Sequence, residues 1–263
     1  DQVERFEPTP ITHDSLTGVK IIDIQAGNRH SVLLSDSGDV YVMGSNSNGY
    51  LGIGATTPGT LLVPTKLTHS NLNGYAISKI AAGGTHTFLQ ASNDTLFAFG
   101  GNSNGQLGDG TTVTKTIPTI INSSQFDGKT VSKMSIDQGT SLFLMADSTV
   151  YSWGNFRAGL GQGILSADIL NPTQITHSNI NGRAFVDVSK SSETGFLIDK
   201  NGAVFTFGES ESALPALGLN TNEAVNFPTE IPATSFENKK ISKIFGSRYH
   251  TLFLAEDGSV FSA

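Results

Sequence analysis

A short run that ends on a large apolar side chain and a glycine returns through the whole chain at a nearly constant interval. It reads Val40-Tyr41-Val42-Met43-Gly44, Leu96-Phe97-Ala98-Phe99-Gly100, Val150-Tyr151-Ser152-Trp153-Gly154 and Val204-Phe205-Thr206-Phe207-Gly208. The four glycines lie 56, 54 and 54 residues apart, and Val260-Phe261-Ser262-Ala263 opens a fifth copy 56 residues after Val204. Pro8, Pro64, Pro118, Pro172 and Pro228 keep the same period. So does a phrase that appears as Thr12–Gly18, Thr68–Gly74 and Thr176–Gly182. A third marker, Gly27-Asn28-Arg29-His30, recurs as Gly83-Gly84-Thr85-His86, and its fifth copy reads Gly246-Ser247-Arg248-Tyr249-His250. A fixed period of this size signals one supersecondary unit used repeatedly, whose copies bury their apolar faces only against one another.

Each copy reads as four short strands. The equivalents of Ile21–Ala26, Ser31–Ser35, Val40–Met43 and Leu62–Leu67 are rich in β-branched and aromatic residues and separated by Gly, Asn and Asp. Ser37-Gly38, Asn201-Gly202 and Asp257-Gly258 supply hairpin chemistry, and primed two-residue turns are expected there. No stretch has helical period. The expected class is all-β, a β-propeller of four-stranded antiparallel blades, with repeats over 8–63, 64–117, 118–171, 172–227 and, incompletely, 228–263 in one domain. Met43, Phe99, Trp153 and Phe207 are expected to fill the layers between blades. The chain opens in the phase of a fourth strand (Pro8–Thr12) and stops in a third, so it reads either as a closed five-bladed ring or as an arc of a larger one.

These residues resemble the regulator-of-chromosome-condensation repeat family, whose pattern runs V-x-x-V-x-A-G-x-x-H-T, then D-G-x-V-y-x-W-G, then N-x-x-G-Q-L-G-x-G. The second repeat matches with Ile77-Ser78-Lys79-Ile80-Ala81-Ala82-Gly83-Gly84-Thr85-His86-Thr87 and Asn102-Ser103-Asn104-Gly105-Gln106-Leu107-Gly108-Asp109-Gly110. The likeness covers essentially the whole chain. Thr140 and Thr194 replace the histidine in repeats three and four, and Ala216-Leu217-Gly218 stands for Gly-Gln-Leu-Gly in repeat four. The family is usually seven-bladed.

The resemblance implies several activities, which the sequence weighs differently. Guanine nucleotide exchange on a small GTPase, the founding member's activity, comes with an insertion wedge and a basic chromatin-binding surface. Here complete repeats differ in length by two residues and the net charge is −7. Ultraviolet sensing, as in the plant photoreceptors, uses clustered tryptophans in the Gly-x-x-His turns, whereas Trp153 is the one tryptophan and precedes a blade glycine. Inhibition of a secreted enzyme, as in some bacterial members, calls for an aromatic-rich acidic face.

Charge and composition narrow the partners. With 16 basic against 23 acidic residues, phosphate-led nucleic-acid binding is disfavoured. No apolar run approaches the length of a membrane span, and no membrane insertion is expected. The 15% charged content is too low, and the 37% hydrophobic content too high, for a disordered chain. The absence of cysteine removes thiol nucleophiles and cysteine-ligated metals. It fits a secreted protein as well as a cytoplasmic one.

The remaining motifs read as architecture. Gly49-x-x-Gly52-x-Gly54 and Gly105-x-x-Gly108-x-Gly110 recur with the repeat, and no helix follows as a nucleotide-binding loop requires. All six histidines occupy two repeat positions, His13, His69 and His177 in one and His30, His86 and His250 in the other. Equivalent positions on stacked sheets lie on the order of 10 Å apart, too far to share a metal. Their expected work is to satisfy local backbone groups. The Asn-rich loops Ser45–Gly49 and Asn102–Asn104 offer oxygen ligands without the closing Glu of a calcium loop. No metal and no cofactor is expected, and no nucleophile elbow or zinc-protease motif is present.

What varies is the pair inside the Gly-x-x-His turn: Asn28-Arg29, Gly84-Thr85, Gln138-Gly139, Ser192-Glu193 and Arg248-Tyr249. Changing side chains on a repeated frame is how a scaffold carries recognition. The expectation is a non-enzymatic propeller that binds a protein partner or a copy of itself through Asn28, Arg29, Thr85, Gln138, Glu193, Arg248 and Tyr249. Tyr50 and Phe156–Arg157 in the long loops are expected to support them.

Overall fold

The computed structural model describes residues 6–54, 59–163, 166–191, 193–208, 217–219, 223–246 and 250–263. They form five antiparallel sheets, four of four strands and one of three, each running in chain order. Its contacts group the chain into two compact units, Asp1–Ser103 with Val113–Ile121, and Asn104–Thr112 with Asn122–Ala263.

The first unit holds sheet one, β1 (Ile21–Ala26), β2 (His30–Ser35), β3 (Val40–Ser45) and β4 (Thr60–Lys66), and sheet two, β5 (Ile77–Ala82), β6 (His86–Ala91), β7 (Leu96–Gly100) and β8 (Lys115–Ile121). The second holds sheet three, β9 (Val131–Ile136), β10 (Thr140–Met145), β11 (Val150–Gly154) and β12 (Ile169–Gln174). Sheet four follows as β13 (Phe185–Ser191), β14 (Thr194–Asp199), β15 (Val204–Gly208) and β16 (Val225–Glu230). Sheet five is β17 (Ile241–Gly246), β18 (Thr251–Ala255) and β19 (Val260–Ser262). The only helical pieces among the described residues are 3-10 turns of three or four residues.

Alternation along the strands explains the stacking. A single sheet leaves two apolar faces, and the second and third strands of sheets two to four are buried throughout. In the first unit Val32, Leu34, Val40 and Val42 of sheet one pack against Ile77, Ile80, Leu89 and Phe97 of sheet two. In the second, Leu142, Leu144 and Val150 meet Val188, Leu197 and Phe205, and then Phe196, Ile198 and Val204 meet Ile244 and Phe253. At roughly 1.5–3 kcal/mol per large side chain buried, these layers hold each unit together. Phe99, Trp153 and Phe207 are fully buried as expected, whereas Met43 is only half-buried.

The loops after β3, β7 and β11 each reach the fourth strand of the next sheet. A glycine N–H of each loop bonds that strand: Gly54 to Thr116 O (2.8 Å) in the first unit, and Gly110 to Leu170 O (3.0 Å) and Gly163 to Asn226 O (2.9 Å) in the second. The loop leucines Leu51, Leu107, Leu160 and Leu217 are buried. Leu217 keeps this role although repeat four has lost the Gly-Gln of the motif.

Two local expectations are corrected. The hairpins between second and third strands are not primed two-residue turns, since a type I′ turn needs positive φ at both central residues and a type II′ turn at the first. Gly38, Gly202 and Gly258 have positive φ but the residues before them do not. Gly38 N–H donates to Ser35 O (3.0 Å) and Ser35 N–H to Asp39 O (2.9 Å), so the turn is a type I turn closed by a left-handed residue, the next most common hairpin. Asp94 and Ser148 hold that left-handed place in sheets two and three. Second, Pro8–Thr12 forms no strand. A strand needs a ladder partner, and none is supplied there.

Candidate functional site

The variable turns join the first and second strands of a sheet, and in sheets one to three their backbone is clamped. The carbonyl of the second variable residue accepts the N–H of the residue that follows the third strand's glycine. Ser45 donates to Arg29 O (2.7 Å), Gly101 to Thr85 O (2.8 Å) and Asn155 to Gly139 O (2.9 Å). The strand-end glycines make this possible. Gly44, Gly100, Gly154 and Gly208 have φ of +104° to +130°, and a Cβ at each would collide with the carbonyl of Arg29, Thr85, Gly139 or Glu193.

In the first unit Asn28 and Arg29 are exposed and Thr85 is half-buried. Gly27 lies directly against the Gly83 carbonyl, which sets the two turns side by side. In the second unit Gln138 is exposed and Glu193 half-buried. The turns there are also linked, because Lys190 N–H donates to Ser135 Oγ (2.8 Å) and Gly246 abuts the Ser191 side chain. Arg248 and Tyr249 lie outside the described residues.

The supporting loop residues divide. Tyr50 is buried against the His30 ring (centroids 5.7 Å apart) and is core, not surface. Arg157 is exposed, with its guanidinium 5.3 Å over the half-buried Phe156 ring. Asp168 ties this loop down, accepting Phe156 N–H (3.0 Å) and Asn104 Nδ2 (2.9 Å).

The two histidine classes do different work. His13, His69 and His177 each cap a 3-10 turn, Nδ1 accepting the N–H of Ser15, Asn71 or Asn179 at 3.2 Å, as expected of a local backbone partner. His30 instead reaches across to the next sheet, where Nε2 shares a hydrogen bond with Thr87 Oγ1 (2.9 Å). Burial pushes the His30 imidazole down to about 4. Burial, with the neighbouring His30 charge, pushes His86 down to about 3. Both are neutral in the fold. The loop asparagines are used in the frame too. Asn46 Oδ1 accepts Leu51 N–H (3.3 Å) and Asn102 Nδ2 donates to Val113 O (3.2 Å). Among the described residues no group of three or more His, Asp or Glu is placed to hold a metal.

One residue escaped the sequence reading. Lys190 is buried at the foot of the turn in sheet four, with Nζ 3.4 Å from Thr194 O. Burial pushes its ammonium down to about 8, against the favourable charges of Asp137 and Glu193. The signal was present in the repeat, because the equivalent positions are Ala26, Ala82, Ile136 and Gly246. A charge where the repeat puts small or apolar residues breaks the local rule, as sites of function do.

Comparison with known proteins follows the same frame. The family model described as "Regulator of chromosome condensation (RCC1) repeat" matches residues 37–90, 93–144 and 201–254, and a second model of that repeat matches 21–49 and 77–106. The chain is 30% identical over 256 residues to the ultraviolet-B receptor UVR8 of Arabidopsis thaliana, covering 97% of this chain and 55% of the receptor. It is 28% identical over 259 residues to the human E3 ubiquitin-protein ligase HERC2, covering 97% of this chain and 5% of the ligase. The chain therefore spans about half the plant receptor and a small part of the ligase. Among solved structures, yeast RCC1 (Prp20) bound to Kap60 superposes with a TM-score of 0.76 at 20% identity, over 92% of this chain and 55% of that one. A β-propeller fold with these repeats in register places the chain in the regulator-of-chromosome-condensation (RCC1) repeat family.

Proposed function

We propose that this chain is a non-enzymatic propeller scaffold that binds a protein partner through the variable turns of its sheets. The carrying observation is the clamp, in sheets one to three, between the turn carbonyl and the N–H that follows the third strand's glycine. It fixes the backbone while leaving Asn28, Arg29 and Gln138 exposed. A rigid loop loses little conformational entropy on binding, and arginine is a favoured interface anchor. Arg29 and Glu193 give the turns charges of both signs, which suits a protein surface better than a polyanion. Related propellers fit this reading, since one yeast member is described in complex with Kap60 and another study concerns its binding to Gsp1p and histones.

The test is affinity capture with the wild type and an Arg29→Ala/Gln138→Ala/Glu193→Ala variant, with captured proteins quantified by mass spectrometry. A partner lost from the variant, at unchanged far-UV circular dichroism and unfolding midpoint, supports the reading. Equal capture by both overturns it.

A further inference from the structure

Sheet two departs from the repeat at the strand ends opposite its variable turn. In sheets three and five the hairpin between the second and third strands carries Asp147 and Asp257, and each carboxylate holds a lysine, Lys129 at 3.3 Å and Lys239 at 3.4 Å. The same carboxylates accept the N–H two residues on, from Thr149 (3.0 Å) and Ser259 (2.9 Å). In sheet two the repeat spacing puts Asn93 in place of the aspartate and Tyr75 in place of the lysine. Asn93 Oδ1 keeps the turn bond, accepting Thr95 N–H (3.2 Å). The turn therefore uses the oxygen of this side chain and not its nitrogen.

Other asparagine amides donate within the frame. Asn71 Nδ2 bonds Pro118 O (2.7 Å), Asn102 Nδ2 bonds Val113 O (3.2 Å), Asn104 Nδ2 bonds Asp168 (2.9 Å) and Asn179 Nδ2 bonds Pro228 O (2.9 Å). Asn93 is exposed, and its Nδ2 donates to no group among the described residues. Asn122, which follows the last residue of β8, is alike. It is exposed, and its Oδ1 accepts Ser124 N–H (3.0 Å) while its Nδ2 is unused.

Both amides stand in the acceptor signal for N-linked carbohydrate, an asparagine with a hydroxyl two residues on and no proline between. The triplets are Asn93-Asp94-Thr95 and Asn122-Ser123-Ser124. A third, Asn171-Pro172-Thr173, is barred by its proline. The surroundings of Asn93 suit a sugar. Ser92 N–H and Oγ both bond Ala76 O at 2.9 Å, which brings the backbones of Tyr75 and Asn93 together. The Tyr75 ring is half-buried, edge-on to Phe97 with centroids 5.0 Å apart. Its remaining surface is an amphipathic ring at the water boundary, against which the C–H face of a sugar packs.

We propose that the chain is N-glycosylated at Asn93 and Asn122. The donor is an oligosaccharide on a polyprenyl diphosphate. Nδ2 bonds C1 of the first sugar, the C1–O bond breaks with its electron pair leaving on the diphosphate, and Nδ2 gives up one proton to the base of the transferase. Such transfer belongs to the secretory route, which is where the proposal places the chain. In sheet two the glycans leave from the β6–β7 hairpin and the end of β8, so the turn with Thr85 stays bare for a partner.

The test begins with the chain isolated from the cells that make it, digested with peptide N-glycosidase in heavy-oxygen water. The enzyme turns a glycosylated asparagine into labelled aspartate, which peptide mass spectrometry reads. Label is expected at 93 and 122, with Asn171 intact. In the full chain secreted from cultured eukaryotic cells, Asn93→Asp and Asn122→Asp keep the acceptor oxygen of each turn. Each is expected to remove one glycan's increment in gel mobility, while Thr95→Ser retains it. Unlabelled Asn93 and Asn122 in the native chain, or a double variant that migrates as wild type, overturns the proposal. Label at one position alone overturns the assignment of the other.

Discussion

The main-chain N–H of Asn155 donates to the carbonyl oxygen of Gly139 over 2.9 Å, across a gap that Gly154 leaves open. Gly154 has φ +109°, and a Cβ there would overlap the Gly139 oxygen. Gly154→Ala is therefore expected to cost about 2–4 kcal/mol. Urea unfolding followed by the emission of Trp153, next in the chain and fully buried, measures it. A loss below the error of the midpoint would remove the clamp from the account of the turns.

Ser148 holds the left-handed place of its hairpin at φ +70° without being glycine. A non-glycine residue there costs roughly 1–2 kcal/mol, partly offset by glycine's extra freedom in the unfolded chain. Ser148→Gly is expected to raise stability by about 0.5–1 kcal/mol in the same titration. Destabilisation would show that the Ser148 side chain contributes more than its backbone costs.

His30 and His86 are buried and neutral, with ionisation pushed down to about 4 and about 3. The unfolded chain protonates them near 6.5. Their contribution is complete above pH 6.5 and is lost as pH falls from there toward 4 and 3, by up to roughly 3 kcal/mol each at pH 4. Amide exchange in β2 and β6 is expected to accelerate over this range. His86→Thr, the residue that repeats three and four carry, should flatten the dependence. An unchanged pH profile in that variant would show that other groups govern the acid limb.

Lys190 follows the opposite limb. Burial holds its ammonium near 8, while the unfolded value is about 10.5. Between these values the unfolded chain binds more protons, so stability rises with pH from about 8 to 10.5. Lys190→Met is expected to abolish that rise, read from urea midpoints at pH 7 to 10. A rise that persists in the variant would place its origin elsewhere.

The candidate site was partly legible. The variable pairs stood out because the frame around them repeats, and the structure leaves Asn28, Arg29 and Gln138 exposed on it. Tyr50 looked like a loop aromatic in the sequence, but its ring fills a gap beside His30. Nothing in the loop's composition distinguishes those two fates.

What the sequence determined by itself was everything set by short-range geometry and repetition. Period-2 runs make strands, glycine after Met43, Phe99, Trp153 and Phe207 permits the sharp exit, and His13, His69 and His177 cap turns two residues away. These interactions close within a few residues, so the local pattern suffices. Only the tertiary structure decided which identical positions are covered. Ile80 is buried and Ile24 exposed, Leu67 is buried and Ile11 exposed, and Lys190 is enclosed by sheet three. The residue types are alike or even contrary to the outcome, because burial is fixed by whether a neighbouring sheet stacks on that face.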